Sequence, residues 1–205
     1  MKNVQKALVL ILCGALCAVI ISCGSTGGGG ASGSKEPIIG VWELSPNNDA
    51  NDNGTSTIFM TIAEEEIDGE MKTTWHFAGE VTGAITYGVV DATLTPDEDT
   101  LAALKALDPG SVISFMMIGD GRDYIIEAPI STVTDWGFHR FKISTEPGVA
   151  MEHRIQMRFF MQPSWAQPVR FNRERLTSIR IQTVNAAEGG VGPFEFKVWD
   201  IKLFP

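Results

Sequence analysis

Cysteine is scarce in this chain, with three among 205 residues. Cys13 and Cys17 lie in an N-terminal segment with the features of a removable signal, which leaves Cys23 alone in the mature chain. A single cysteine cannot form a disulfide within the chain, although disulfides are common in exported proteins. The mature protein is therefore expected to owe its stability to packing, with or without a bound metal.

The residue patterns of common catalytic sites are also missing. The sequence has no Gly-x-Ser-x-Gly elbow and no glycine loop followed by Lys-Ser or Lys-Thr that would hold a phosphate. His76, His139 and His153 lack a metal-ligand spacing, and the acidic run at 64–66 is typical of a solvated surface. We therefore expect a protein that is not an enzyme.

Basic residues are in the minority, with 16 against 25 acidic ones. Removal of Lys2 and Lys6 with the signal lowers the basic count to 14, so that the mature chain has a formal charge of about −11. Such a charge argues against nucleic acids and anionic lipid surfaces as partners.

The first 22 residues have the layout of a secretory signal. Lys2 and Lys6 precede an apolar run at 7–21, and the small Ser22 stands directly before Cys23. Residues 1–22 are therefore predicted to be cleaved during export.

The four residues Ile20-Ile21-Ser22-Cys23 resemble the lipobox of bacterial lipoproteins, which implies acylation of Cys23. An ordinary cleaved signal or a membrane-spanning anchor is the alternative. Residues 23–37 are rich in glycine and serine and predict a flexible tether. Gly24 stands where an aspartate retains some lipoproteins at the inner membrane. We expect an exported protein that is lipid-anchored to the cell membrane or to the outer membrane, facing the periplasm or the cell surface, and Gly24 favours the outer membrane.

Short apolar runs separated by turn residues fill residues 38–205, which we expect to form one domain. Residues 55–63 and 71–77 alternate polar and apolar side chains on either side of Asp68-Gly69. Alternation on both sides of such a turn predicts a β-hairpin.

A second hairpin is predicted at the centre of the fold. The apolar runs 112–118 and 124–130 flank Gly119-Asp120-Gly121, which is a typical turn sequence. We expect the core of the domain to lie beneath these two strands.

The remaining pattern predicts further strands and one helix. The strands are expected at 38–44, around Ile85, Tyr87 and Val89, and at 137–145, 154–161, 177–184 and 194–204, with the helix at 96–107. The apolar phase of the last strand changes near Trp199-Asp200, which predicts a β-bulge there. The fold class is therefore predicted to be all-β, an antiparallel jelly-roll β-sandwich with one short helix.

Five stretches of the chain share a pattern with a known family: WELSPNNDANDNGTST (42–57), VISF (112–115), RIQMRFF (154–160), LTSIRIQT (176–183) and FEFKVWDIKL (194–203). Together they resemble family 11 carbohydrate-binding modules and the related complex I intermediate-associated protein 30 domain. The resemblance covers roughly 38–204 and implies a galactose-binding-like β-sandwich. Family members carry two acidic residues where Trp199-Asp200 stand, and a tryptophan before a Pro-Phe pair where 152–159 stand. Of these features the chain keeps Asp200 and Phe159.

Oxygen-bearing side chains predict a structural calcium site. The polar loop 47–53 contains Asp49, Asp52 and Asn53, and Ca²⁺ requires several hard oxygen ligands in one place. The resemblance implies that the first and last strands are neighbours, which would bring Asp200 to this loop. A merely solvated loop is the alternative.

The aromatic side chains suggest that the protein binds a sugar. A ring stacked on the apolar face of a sugar removes on the order of 80 Å² of apolar surface from water, worth roughly 2 kcal/mol. Charged side chains then fix the orientation of the sugar by hydrogen bonds. The candidate platforms are Tyr87, Tyr124, Trp136 and Trp165, and the candidate donors are Arg122, His139 and Arg140. Core packing is the alternative for each aromatic residue.

The sequence therefore predicts a lipid-anchored, non-catalytic carbohydrate-binding module that recognises a polysaccharide or cell-envelope glycan. The alternative is a protein-interaction or assembly-factor module of the complex I intermediate-associated type, with a protein as partner. Exposed rings in a concave groove would favour carbohydrate, whereas a flat apolar patch with a polar rim would favour protein.

Overall fold

Two antiparallel β-sheets make up the part of the chain that this computed structural model describes, residues 36–48, 55–84 and 86–205. The strands in chain order are β1 (Ile38–Ile39), β2 (Trp42–Asn48), β3 (Thr57–Ile67), β4 (Glu70–Val81), β5 (Val90–Pro96), β6 (Val112–Ile118), β7 (Asp123–Ala128), β8 (His139–Ser144), β9 (Ala150–Gln156), β10 (Ile179–Thr183) and β11 (Gly192–Phe204). The helix α1 (Glu98–Ala106) lies between β5 and β6. The predicted all-β sandwich with one short helix is confirmed.

The strand order differs between the sheets. The six-stranded sheet runs β3-β4-β11-β6-β9, with β1 also paired to β11. The five-stranded sheet runs β2-β5-β10-β7-β8. Strands that are neighbours in space are thus often far apart in sequence.

Alternating apolar side chains from both sheets meet in one core. Phe77 of β4 stacks on Phe196 of β11 with ring centroids 5.0 Å apart, and Tyr124 of β7 meets Phe196 edge-on at 5.0 Å. Burial of a large apolar side chain is worth about 1.5–3 kcal/mol, and such ring pairs add about 0.5–1.5 kcal/mol. Tyr124 therefore links the two sheets.

The hairpin around Asp68-Gly69 is confirmed. Asp68 and Gly69 have φ of 53° and 81°, and Ile67 pairs with Glu70 directly across the turn. A two-residue turn with both φ angles positive matches the right-handed twist of the strands that it joins.

The predicted central hairpin is wrong. β6 pairs with β9 and β11, whereas β7 pairs with β8 and β10 in the other sheet. Gly119 forms a bridge with Pro147, and a Cβ on Gly121 (φ 95°) would lie 2.7 Å from the Cγ of Pro147. The segment between β6 and β7 is therefore held by the distant segment around Pro147, and it carries the chain from one sheet to the other.

The predicted first strand is divided between the sheets. β1 pairs with β11 and β2 with β5, and Gly40 lies at the break. A Cβ on Gly40 would lie 2.5 Å from the Cγ2 of Thr100, whose hydroxyl also accepts a hydrogen bond from the Val41 backbone N–H. Helix α1 thus holds the chain at this crossing.

Other predicted strands and the predicted helix are present, but they begin or end at different residues. The strand expected around Tyr87 and Val89 begins at Val90 and Tyr87 lies in a turn, while Ile85 is outside the described residues. The strand predicted at 154–161 ends at Gln156 and continues as the 3₁₀ turn Met157–Phe159. Helix α1 begins after Asp97, whose side chain accepts a hydrogen bond from the Thr100 N–H at 2.8 Å.

The predicted bulge in β11 is confirmed. The register against β6 shifts between Trp199 and Lys202, and Asp200 has a φ of 51°. The extra residue allows Val198 and Ile201, on either side of the bulge, both to contact the core. No helix in the described ranges is long and apolar enough to cross a membrane. The predicted signal, Cys23 and residues 23–35 of the tether lie outside those ranges.

Candidate ligand-binding face

A row of polar side chains crosses the face of the five-stranded sheet that points away from the core. Strand pairing aligns one residue from each strand, in the order Ser45, Thr93, Arg180, Glu127 and Arg140. Their neighbours along each strand, such as Ile126 and Ile181, belong to the core. Since successive side chains of a strand point to opposite faces, these five residues, here called the polar row, share the outer face.

Glu127 lies on β7, next to the central strand β10, and is 5% exposed. Its carboxyl forms neither a hydrogen bond nor an ion pair with any side chain of the described residues. The pKa of Glu127 is raised to about 7 in total: burial raises it most, the positive charge of Arg180 partly opposes this, and the smaller effects of Asp91 and Arg140 raise and lower it respectively. Near neutral pH, a large fraction of Glu127 is therefore protonated.

Arg180 and Arg140 stand on either side of Glu127 and are both half-buried. The guanidinium of Arg180 lies 5.2 Å from the ring centroid of Phe138, and its Nε is buried without a hydrogen-bond partner in the described structure. No carboxylate within the described ranges comes within ion-pair distance of either guanidinium. Both arginines therefore keep hydrogen-bond donors free for an external acceptor.

The outer face of the six-stranded sheet differs, because its basic side chains have acidic partners. Lys197 Nζ lies 2.6 Å from Glu65, Arg154 lies 3.0 Å from Glu152, and His76 lies 2.7 Å from Glu195. The arginines of the polar row have no such partner among the described residues.

Aromatic side chains stand beside the polar row. Trp136 is 69% exposed, and its ring meets Phe138 edge-on at 6.2 Å, so that Trp136, Phe138 and Arg180 form a continuous series of contacts. Trp165 is 63% exposed on a neighbouring loop. We call Trp136, Phe138 and Trp165 the aromatic rim.

The two loops that carry the aromatic rim are tied together. Gln162 Nε2 donates to the carbonyl of Gly137 at 2.7 Å, and the Gln167 N–H donates to Asp135 Oδ2 at 2.7 Å. A Cβ on Gly137 would lie 2.1 Å from the Cβ of Ala166, so only glycine permits this approach. Trp136 itself has a φ of 62°, which is uncommon outside glycine. The loops hold both tryptophans at the edge of the sandwich beside β8.

Of the seven ligand-binding residues predicted from sequence, three lie on this face or its rim: Trp136, Arg140 and Trp165. Tyr87 is 74% exposed, but it precedes β5 at the other end of the sheet. The structure thus brings together only part of the predicted set.

The other three predicted ligand-binding residues have structural roles, which corrects the prediction. Tyr124 is fully buried, and its hydroxyl donates to Asp120 Oδ1 at 3.1 Å, so its ring is a core residue and not a platform. His139 points to the core side, is 5% exposed and packs on Phe171 at 4.9 Å. Arg122 donates to the carbonyl of Gly190 and pairs with Asp120. Each is held by the fold itself.

Sequence reasoning missed Glu127 and Arg180. The sequence pattern could have revealed both, because each is a charged residue inside a short apolar strand: Glu127 in YIIEA and Arg180 in IRI. Period-two alternation places them on the face opposite Ile126 and Ile181. A search for charges within apolar strands would have found them.

The calcium prediction remains a prediction. Asp49, Asp52 and Asn53 lie outside the described residues, within which no cluster of three or more metal-binding side chains occurs. Asp200 lies 3.4 Å from Lys72 Nζ and 3.7 Å from Lys202 Nζ. Of the two N-terminal strands, β1 pairs with β11, which carries Asp200. β2, which leads to the polar loop, pairs with β5 in the other sheet.

No family model matches the sequence, and a search of curated proteins finds no relative. Solved structures do resemble the fold. The family 11 carbohydrate-binding module of a cellulosomal cellulase from Clostridium thermocellum aligns with a TM-score of 0.54 and 14% identity, over 83% of this chain and 91% of that chain. An exo-beta-agarase aligns with a TM-score of 0.49 and 9% identity, over 85% of this chain and 24% of that chain. A CBM4 structure aligns with a TM-score of 0.40 and 14% identity, over 84% and 96%. The first of these similarities shows that the chain has the β-sandwich fold of a carbohydrate-binding module.

Proposed function

We propose that the polar row and the aromatic rim bind carbohydrate, and that the protein is a non-catalytic, lipid-anchored carbohydrate-binding module. The observation that supports this most directly is the presence of unpaired Arg180, Glu127 and Arg140 beside the exposed ring of Trp136. Sugars combine apolar C–H faces with many hydroxyls, so their sites pair aromatic rings with hydrogen-bonding charged groups.

The carboxyl groups of this face support a role in binding rather than hydrolysis. Hydrolysis of a glycosidic bond usually requires two carboxyl groups on either side of that bond. Asp91 accepts hydrogen bonds from Asn47 at 3.0 Å and from Thr93 at 2.7 Å, and Asp123 is held by Lys142 and Ser144. Glu127 is left without an available carboxyl partner in the polar row.

The protein-interaction alternative has some support from the same region. Phe159 and Met161 are 48% and 71% exposed and lie next to β8, where the Met161 and Arg140 backbones bond to each other. A buried carboxyl in the middle of the face does not suit an apolar interface, because acidic residues are depleted at interfaces between proteins. The polar row therefore favours the carbohydrate.

The test is the loss of binding when a ring is removed. Trp136→Ala removes a stack worth roughly 2 kcal/mol, so retention of the full-length protein in affinity electrophoresis should weaken more than ten-fold. The comparison is made across gels containing neutral glucan, mannan, agarose and acidic polysaccharides, with mild detergent throughout.

The matched control is Phe59→Ala, since Phe59 is 66% exposed on the other sheet. This variant should bind like the unchanged protein. Equal retention of the two variants, or no retention of the unchanged protein on any polysaccharide, would contradict the proposal.

A further inference from the structure

We propose that the bound polysaccharide is anionic, and that Arg140 and Arg180 bind its carboxylate or sulfate groups on either side of Glu127. This inference rests on the proposed function and narrows it to one chemical class of ligand. It arises from the juxtaposition of two unpaired guanidinium groups in one row of the sheet.

Both arginines are half-buried, and neither has an acidic partner among the described residues. The Nε of Arg180 is buried without an acceptor in the described structure, and its guanidinium is held against Phe138 at 5.2 Å. Unlike Arg154 on the other sheet, which pairs with Glu152 at 3.0 Å, neither Arg140 nor Arg180 has a carboxylate within ion-pair distance in the described ranges. A guanidinium recognises carboxylate and sulfate-like anions with paired hydrogen bonds, which a sugar hydroxyl cannot fully replace.

Glu127 does not supply the missing anion. Glu127 is 5% exposed, and its carboxyl makes no ion pair with either arginine. Burial raises its pKa to about 7, so about half of these groups are neutral at pH 7. A neutral carboxyl can donate a hydrogen bond to the ligand, while the two positive charges remain for the ligand's anionic groups.

The surrounding sequence is basic in an acidic protein. Residues 157–180 contain five arginines and one acidic residue, whereas the whole chain has a formal charge of −9. One of these, Arg158, lies 5.1 Å from the ring centroid of Phe159 near the edge strand β8. Arg158 therefore adds a third cationic group, beside Arg140 and Arg180, near the edge of the sheet where an anionic polymer would lie.

The experiment compares polysaccharides that differ only in charge. The full-length protein in mild detergent is tested by affinity electrophoresis on polygalacturonate against its methyl ester, alginate against its carboxyl-reduced form, and carrageenan against its desulfated form. At least one acidic member should retain the protein ten-fold or more above its neutral counterpart. Comparison of the carboxylated polymers with the sulfated one shows which anion is preferred. Salt at 0.5 M should reduce the difference in retention between acidic and neutral polymers several-fold, because it screens the charges.

Variants then test the two arginines. Arg180→Gln and Arg140→Gln should each reduce retention on the acidic polymer at least five-fold, whereas Arg154→Gln, on the other sheet, should leave it unchanged. Thermal unfolding of each variant shows whether it is folded. If Arg180→Gln fails to fold, Arg140→Gln and the charge-matched polymers still decide the matter.

The outcomes separate the two proposals. Equal retention on charged and neutral members, or unchanged retention of both folded arginine variants, would overturn the anionic ligand and leave carbohydrate binding in place. Retention on no polysaccharide would overturn both.

Discussion

At the scale of single residues, the position of Glu127 within its strand determines the pKa of its carboxyl group. It lies in β7 between Ile126 and Ala128, and Asp91, Arg180 and Arg140 are the charged groups that face it from β5, β10 and β8. The neutral form is favoured in the folded state, because the carboxyl is almost fully buried. Its pKa rises from about 4.5 in the unfolded chain to about 7 in the fold.

This shift makes stability depend on pH. Between pH 4.5 and 7 the folded protein binds more protons than the unfolded chain at this site, so the free energy of unfolding falls as the pH rises. The loss amounts to about 3 kcal/mol in total, at about 1.4 kcal/mol per pH unit. Glu127→Gln should not show this contribution, and it should be more stable than the unchanged protein at pH 8 by up to about 3 kcal/mol, with the difference vanishing near pH 4.5.

Urea unfolding curves between pH 4.5 and 8.5 measure this difference. Glu43→Gln is the control, because Glu43 is exposed on β2 of the same sheet. Parallel curves of stability against pH for Glu127→Gln and the unchanged protein would refute the assignment.

At the scale of secondary-structure elements, local patterns predicted the strands but not always their partners. The β3–β4 hairpin could be predicted because its two turn residues, Asp68 and Gly69, determine its geometry. β6 and β7 looked like a hairpin, yet their connection depends on Pro147, which is remote in sequence. Pairing in a sandwich is decided by contacts between distant segments, which a period-two pattern does not contain.

The candidate site was predictable only in part for the same reason. Trp136 and Trp165 are identifiable as rings in polar, turn-rich segments, and both prove to be exposed. The polar row required knowledge that β10 lies between β5 and β7. Glu127 and Arg180 are distant in sequence, and only strand order brings them together.

The loops of the aromatic rim should depend on Gln162. Its side chain donates to the Gly137 carbonyl at 2.7 Å and accepts from the Val169 N–H at 2.6 Å, so it joins the two loops. Gln162→Leu removes both bonds and should cost about 1–3 kcal/mol locally by leaving partners unsatisfied. Limited proteolysis should then cut within 161–170 at least several-fold faster, while the sandwich stays folded.

Gln167→Leu is the matched control, because Gln167 lies in the same loop and contributes a hydrogen bond only through its backbone N–H. It should be cut at the rate of the unchanged protein. Equal cleavage of the two variants would show that Gln162 does not hold the loops together.

At the scale of the whole molecule, the proposed anchor decides where binding takes place. Cys23 follows the lipobox-like Ile20-Ile21-Ser22, and the rest of the chain after it has no long apolar run. Cys23→Ala should therefore move the protein from the membrane fraction to the soluble fraction, because stable attachment depends on acyl chains. Ser25→Ala, two residues away, should leave the distribution unchanged. A Cys23→Ala protein that still sediments with membranes would contradict the lipoprotein assignment.

The short strand β1 has a mechanical consequence for an anchored protein. Only Ile38 and Ile39 pair with β11, whereas β2 pairs with β5 along seven residues from Trp42 to Asn48. Tension applied from the anchor would load the two β1 pairs first and peel them apart before it reached β2. Release of residues 38–40, as far as the crossing at Val41 that helix α1 holds, would lengthen the connection by about 10 Å, at about 3.3 Å per residue. The domain could thus yield to a pull on a bound polymer while its binding face stayed folded.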